Sequence, residues 1–227
     1  MKINRIYANR QFKNIKFDPH FNVIVGETLR NRDYSKDTHN MGKSSLITVI
    51  DFLLLKEVKK DHIFKKNFAL FKKHTFYIEI LLNSGNYLVI SRSVAENNLV
   101  NLKINDVEMQ SFDINISWDY ENLSLKKAIE IVGKYLDFNV ISNLDKNYRK
   151  VLSYFLRSQA DYIDVFQLDK FKGKHVSWKP YLFSLLGFKG ELLEEKYKLG
   201  ESLKSLENAS EIIESRLQFK LEELDKY

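Results

Sequence analysis

FNVIVGE at residues 21–27 and HNMGKSSLITVIDFLL at residues 39–54 frame an irregular polar stretch, and together they decide the fold. The apolar, β-branched run 21–25 predicts a buried strand that ends at Gly26. Over 43–55 the apolar residues recur at helical spacing, which predicts a helix. A strand, a loop bounded by glycines and then a helix is an arrangement typical of phosphate-binding loops.

The candidate phosphate loop is split. Gly42-Lys43-Ser44 matches the second half of G-x-x-x-x-G-K-[ST], and Gly26 supplies the first half sixteen positions earlier, so eleven residues, 28–38, are inserted. Gly42 lets the backbone approach a phosphate closely, Lys43 would bridge the β and γ oxygens, and Ser44 would offer its hydroxyl to Mg²⁺. The motif therefore predicts ATP and Mg²⁺ as cofactors. In the alternative, Gly42 only caps a turn and Lys43 is a solvated surface lysine.

The two quoted stretches resemble the Walker A region of SMC/RecN/RecF-type ABC ATPases, whose pattern is N-x-h-h-G-E-N-x-x-G-K-[ST]. The stretched form D-T-H-N-x-G-K-S resembles bacterial coiled-coil ATPases found in defence-like cassettes. The resemblance is concentrated in residues 1–55 and weaker to about residue 187. It implies a P-loop NTPase of ABC/SMC type and the following nucleotide-binding residues: Gly26, Glu27, His39 (where the group usually has Asn), Asn40, Met41, Gly42, Lys43, Ser44 and Ser45.

Two further elements follow from the resemblance. Phe12-Lys13-Asn14 is similar to the N-F-[KR]-[SN] element that touches nucleotide in relatives, which implies that Lys13 and Asn14 line the site. The run 154–159 is the Q-loop candidate. By resemblance Gln159 would contact Mg²⁺ or the attacking water, and Lys43 and Gln159 would be the catalytic residues. The alternative for Gln159 is a surface residue at a helix end.

The remaining pattern predicts an α/β head over residues 1–189, with an N-terminal lobe of antiparallel hairpins. Strands are expected at 2–8 and 13–17, in one hairpin over 76–82 and 87–93, and in a second over 100–104 and 107–112. Helices are expected from Ser124, as N-cap, to about residue 138, over 147–157, and from near Pro180 to 186 with Gly187 as the stop.

Residues 190–227 predict the start of a coiled-coil arm. Leu192, Leu199, Leu206 and Ile213 recur every seven residues, and Leu203, Leu217 and Leu224 occupy the complementary positions. Lys196, Ser210 and Lys220 interrupt this seam. A single amphipathic surface helix is the alternative.

The net charge is unevenly distributed. The arm carries six Lys/Arg and ten Asp/Glu, a net charge of −4. Because the whole chain has a net charge of +6, residues 1–189 carry a net charge of +10. A basic body is compatible with nucleic-acid binding, but a lysine-rich solvated surface would give the same composition. Cysteine is absent, which excludes disulfides and thiol catalysis. With no signal peptide and no membrane span in the pattern, we expect a cytoplasmic protein without a membrane partner.

An ABC head also needs an L-S-G-G signature, a Walker B strand ending in Asp-Glu and a switch His, and the sequence contains none of them. We therefore expect an N-terminal half, natural or part of a longer chain, which is inactive alone as an ATPase. When complete it would dimerise with a second head on ATP and act on DNA, with a nuclease or effector as a further partner. Alternatives are a nucleotide-gated regulator of a toxin-like partner without DNA binding, and a coiled-coil scaffold.

Overall fold

The computed structural model describes residues 1–25, 43–141, 144, 147–157, 159–162 and 175–224. The chain divides into two compact units. The first comprises Met1–Asn139 and Lys146–Ile163, and the second comprises Val140–Asp145 and Asp164–Tyr227. The first unit is a mixed α/β structure around one sheet, and the second is helical.

A six-stranded antiparallel sheet with the order β2-β1-β3-β4-β5-β6 forms the frame of the first unit. The strands are β1 (Lys2–Ala8), β2 (Ile15–Lys16), β3 (Thr75–Leu81), β4 (Tyr87–Ser93), β5 (Leu99–Asn105) and β6 (Tyr120–Ser124). The predicted β3–β4 hairpin is confirmed, because the two strands pair antiparallel. In its turn, Gly85 takes the left-handed conformation (φ +93°) that the turn requires. The predicted strands at 2–8 and 13–17 are also present, the second reduced to two residues.

The predicted second hairpin is half wrong. Strand β5 forms, but residues 107–112 are not a strand, and β5 pairs instead with β6. The intervening segment, 106–119, crosses the outer face of the sheet. Buried Arg5 of β1 donates to Glu108 and to the Ser111 carbonyl, and the Tyr7 hydroxyl donates to the Asp113 carbonyl. These contacts span more than 100 residues of sequence, so the local pattern of 107–112 could not reveal them.

The predicted buried strand at 21–25 is wrong. Residues 21–25 have no regular secondary structure, and their apolar side chains are exposed, with Phe21 at 88% and Val25 at 70%. Their β-branched composition is a weak preference that needs a partner strand to act on. None of the six described strands pairs with them.

Helices cover the inner face of the sheet. They are α1 (Lys43–Leu53), the short α2 (Ile63–Lys66) and α3 (Phe68–Phe71), α4 (Leu125–Leu136) and α5 (Tyr148–Phe155). One hydrophobic core joins α1, α4 and α5 to the inward side chains of the sheet. It includes Leu53 of α1 and Val132 of α4, together with Ile78 and Ile90 of the sheet. The helices that the sequence predicted here are confirmed within a few residues of their expected ends.

The second unit contains α6 (Lys179–Leu185) and the 35-residue α7 (Gly190–Leu224). Helix α6 ends at Gly187 (φ +85°) as predicted, with Phe188 N–H bonded to the Phe183 carbonyl. A Cβ atom on Gly190 would collide with the Pro180 carbonyl oxygen and the Ser184 hydroxyl, so only glycine permits this contact between α6 and α7. Along α7 the heptad side chains that the structure describes, Leu192 to Leu217, are exposed, from 57% at Leu217 to 68% at Leu206. The helix exists, and its pairing into a coiled coil stays a prediction.

Three one-turn 3₁₀ helices complete the described structure, at Asn139–Ile141, Gln159–Tyr162 and His175–Ser177. Within the described ranges, no helix combines the length and the apolar character that crossing a membrane requires.

Candidate functional site

Helix α1 starts at Lys43, the lysine of the Gly-Lys-Ser motif. The first turn of α1 contains no acidic residue, so its free N–H groups face no competing carboxylate from their own turn. Residues 26–42, which include Gly26, Glu27, His39, Asn40, Met41 and Gly42, lie outside the described residues, as do the side chains of Lys43 and Ser44. Ser45 is half-buried in the first turn. The motif therefore opens a helix, as predicted, and the geometry of the loop stays a prediction.

The other end of α1 is closed by a left-handed residue that is not glycine. Leu55 has φ +72° and is fully buried. Its N–H bonds to the Phe52 carbonyl, and the Lys56 N–H reaches back to the Asp51 carbonyl. The α6 terminus makes the same pair of bonds with Gly187 in this position. The left-handed conformation costs a non-glycine residue about 1–2 kcal/mol, which the burial of the Leu55 side chain offsets.

Arg92 completes this helix end from the sheet. It lies on the inner face of β4, 1% exposed, and its Nη1 donates to the carbonyl oxygens of Phe52 and Lys56, each at 2.7 Å. Its Nε donates to the Asn97 carbonyl, also at 2.7 Å, and the guanidinium lies 4.2 Å from the Phe52 ring centroid. Burial, reinforced by the charge of nearby Arg149, lowers the pKa of Arg92 to about 9, so the group is still charged at neutral pH. A cation at the C-terminal end of a helix is favoured by the helix dipole.

Helix α5 contributes a second cation to the same helix end. Arg149 donates to the Leu54 carbonyl at 3.0 Å and pairs with Asp51, while the Tyr148 hydroxyl donates to the Leu54 carbonyl at 3.1 Å. Burial acts to raise the pKa of Asp51, but the charges of Arg149 and Lys56 and their hydrogen bonds outweigh burial and lower it. Asp51 is therefore ionised, and α1 is fixed to both the sheet and α5.

Of the remaining predicted residues, the structure describes the side chains of Lys13 and Asn14 but not that of Gln159. Lys13 and Asn14 are exposed in the turn between β1 and β2, beside Phe12, whose ring meets Phe76 edge-on at 5.5 Å. Gln159 starts the 3₁₀ helix after α5, and its side chain lies outside the described residues. Their roles toward nucleotide stay predictions.

A basic surface follows α1. The segment 56–73, here called the basic segment, carries seven lysines against Glu57 and Asp61, and all seven lysines are exposed. It contains the two short helices α2 and α3. Two apolar side chains of α3 are also exposed, Phe68 at 41% and Leu70 at 68%.

Sequence reasoning missed Arg92 and Arg149. One signal was available for Arg92: in β4 it occupies the same face as Leu88 and Ile90, which is the core face, and a charged residue in that position requires buried partners. The described residues contain no group of three or more His, Asp or Glu side chains able to hold a metal ion. Comparison of the chain with protein-family models, curated proteins and solved structures gave no match.

Proposed function

We propose that this chain is the nucleotide-binding part of an ABC-type ATPase head of the SMC/RecN kind, with a P-loop NTPase fold. The observation that carries the proposal is a Gly-Lys-Ser sequence at the start of an anchored helix, with Lys43 as its first residue. Bound Mg²⁺-ATP would supply the phosphoryl group, Lys43 would neutralise its β and γ oxygens, and Ser44 would hold the metal. The antiparallel hairpins agree with the lobe that the resemblance implies.

Turnover needs groups that this sequence lacks. Phosphoryl transfer requires an oriented water and further charge stabilisation, and Lys43 supplies only part of this. The signature motif and the Walker B carboxylates would come from a second segment. A second head would close over the nucleotide, so that ATP binding drives dimerisation.

Titration of the 227-residue chain with a fluorescent ATP analogue, up to millimolar Mg²⁺-ATP, tests this proposal. We expect saturable binding that Lys43→Ala removes and that Lys60→Ala, an exposed lysine of the basic segment, preserves. The proposal fails if the chain does not bind ATP or if Lys43→Ala binds as tightly as the unchanged chain.

DNA is the proposed substrate of the complete head, because the basic segment presents seven exposed lysines on one short stretch of surface. The exposed Phe68 and Leu70 favour a second candidate, a nucleotide-gated regulator that docks a protein partner there, since apolar side chains gain nothing from phosphates.

Salt dependence separates the two candidates. For DNA binding, the logarithm of affinity falls linearly with the logarithm of salt concentration, with a slope set by the phosphates neutralised. Replacing Lys65 and Lys66 by Gln should reduce the slope by about 1–2. The same change at Lys126 and Lys127, an exposed lysine pair on α4, is the matched control. No binding to duplex DNA, or a flat salt dependence, would favour the protein-partner function.

A further inference from the structure

A polar cavity of about 310 Å³ opens on the outer face of the sheet. The strand register places Thr75 opposite Ser93, Tyr77 opposite Ser91, and Ser91 opposite Asn101, so these side chains share one face. Helix α1 packs on the other face, against Ile78 and Ile90. The sheet therefore separates this cavity from the start of α1, and the cavity is not the proposed ATP site.

The lining offers hydrogen-bonding groups that the described structure leaves unused. The hydroxyls of Thr75 and Ser93 and the carboxylate of exposed Glu96 make no side-chain hydrogen bond to the described residues. Ser91 is 2% exposed, and its hydroxyl accepts from the Asn101 amide at 3.3 Å, which leaves its own proton to donate.

An aromatic wall bounds the cavity. Trp118, from segment 106–119, lies nearly parallel to Tyr77, with an interplanar angle of 16° and centroids 6.3 Å apart. Tyr77 is itself stacked on Tyr7 at 4.7 Å and is mostly covered. Trp118 is only half-buried, so it is the aromatic surface on which a flat ligand can stack.

The strand pairing is irregular at this position. The register of β5 against β6 shifts between Val100 and Leu102, and Asn122 of β6 has φ +51°. The Asn122 N–H donates to the Asn101 side-chain oxygen at 2.7 Å, which fixes the orientation of that amide at the cavity. Bulges and left-handed non-glycine residues recur at binding sites, where they redirect side chains.

We propose that this cavity binds a nucleobase that carries an amino group, either as a free nucleoside or as the unpaired base of a single strand. The described lining contains no Lys or Arg and one carboxylate, so it does not favour phosphate or any other anion. A base can stack on Trp118 while side-chain amides and hydroxyls reach its edge. A carboxylate such as that of Glu96 accepts hydrogen bonds, so it favours the exocyclic amino groups of adenine, cytosine and guanine over uracil and thymine, whose single N3–H lies between two carbonyl oxygens.

Base binding in this cavity does not require ATP binding at Lys43, and nucleosides without phosphate test it separately. Trp178→Phe leaves Trp118 as the only tryptophan, so its fluorescence reports on the cavity. In this background the 227-residue chain is titrated with cytidine, adenosine, guanosine and uridine, and with single-stranded dC and dT dodecamers. We expect saturable quenching by at least one amino-bearing nucleoside, or by dC. The affinity for this ligand should be about tenfold higher than the affinity for uridine or dT.

The source of the base and the role of Glu96 are read from the same titrations. Equal affinity for cytidine and dC indicates a free nucleoside, and a much tighter dC complex indicates a single strand. Glu96→Gln should reduce the discrimination against uracil or thymine to about threefold or less, because an amide can also donate. Glu121→Gln, an exposed carboxylate of β6 outside the lining, should leave it unchanged. Absence of quenching up to about 10 mM nucleoside, equal binding of uridine, or equal quenching by neutral monosaccharides would overturn the proposal.

Discussion

The guanidinium of Arg92, on the third inward-facing position of β4, donates to the Phe52 carbonyl in the last turn of α1 at 2.7 Å. The same nitrogen reaches the Lys56 carbonyl at 2.7 Å. A buried cation thus stands where the dipole of α1 concentrates negative charge. Because α1 begins with Lys43, the contact at its far end fixes the axis along which the motif is presented.

Removal of this cation should destabilise the first unit. Arg92→Met would leave the buried carbonyl of Phe52 and the partly buried carbonyls of Lys56 and Asn97 without this donor, and we expect a loss of about 3 kcal/mol in the free energy of unfolding. Urea unfolding followed by circular dichroism measures it. Arg10→Met is the control, since exposed Arg10 makes one 3.2 Å bond to the Lys73 carbonyl. Equal stabilities of the two variants would contradict the role of Arg92.

His62 makes stability depend on pH. Its Nδ1 accepts from the Phe64 N–H at 3.2 Å, and burial, followed by the charges of Lys56 and Arg92, lowers its pKa. The unfolded chain therefore binds the proton more tightly, and this group destabilises the fold as the pH falls through the unfolded value of about 6.5. Above that pH its contribution to stability is complete.

His62→Asn tests this dependence, because asparagine can accept the same N–H without titrating. We expect the two proteins to differ little at pH 8. Below about pH 6.5 the variant should lose stability less steeply, by up to about 1.4 kcal/mol per pH unit. Thermal melts from pH 5 to 8 give the comparison. Parallel pH profiles would show that His62 does not titrate between the folded and unfolded states.

The two glycines of α7 should respond in opposite directions to alanine. Gly190→Ala places a methyl group against the Pro180 carbonyl and Ser184, so we expect a loss of about 2 kcal/mol or displacement of α6 from α7. Gly200→Ala meets nothing within 4 Å and should stabilise the helix by about 1 kcal/mol. Thermal unfolding with far-ultraviolet dichroism compares them. A neutral Gly190→Ala would contradict the close approach of the two helices.

Ser44 carries the prediction about metal. If its hydroxyl holds Mg²⁺, Ser44→Ala should weaken binding of Mg²⁺-ATP about tenfold or more, with less effect on metal-free ATP. Ser44→Thr, which keeps the hydroxyl, should restore most of the affinity. Calorimetric titration with and without Mg²⁺ distinguishes the cases. Equal losses in both conditions would assign Ser44 a role in the loop itself.

What the sequence predicted well was local. The β3–β4 hairpin follows from the alternation of apolar and polar residues around a turn that contains Gly85. Helix α6 ends at Gly187, because glycine takes the left-handed conformation at little energetic cost. The failures were long-range. In residues 107–112 apolar and polar side chains alternate as in a strand. This part of the chain instead crosses the sheet, because buried Arg5 and Tyr7 donate hydrogen bonds to its carbonyl groups.

The candidate site was predictable only as a motif. Gly-Lys-Ser and the helix that it opens can be read from short-range pattern. The contacts that anchor α1 could not be predicted from the sequence, because Arg92 and Arg149 lie about 40 and 95 positions beyond the carbonyl groups to which they donate. The same limit applies to the outer cavity, whose lining comes from four strands, a turn and segment 106–119.

The pairing order of the sheet also has a consequence for how the chain folds. From β3 to β6 each strand pairs with the next along the chain, so these strands form a meander of short-range contacts that can assemble early. Strand β1 joins it only through β3, with Lys2 opposite Leu81, and this pairing closes a loop of nearly eighty residues that contains the Gly-Lys-Ser motif. We expect β1 to dock late, so that the long connection between β1 and β3 is closed only in the last step of folding.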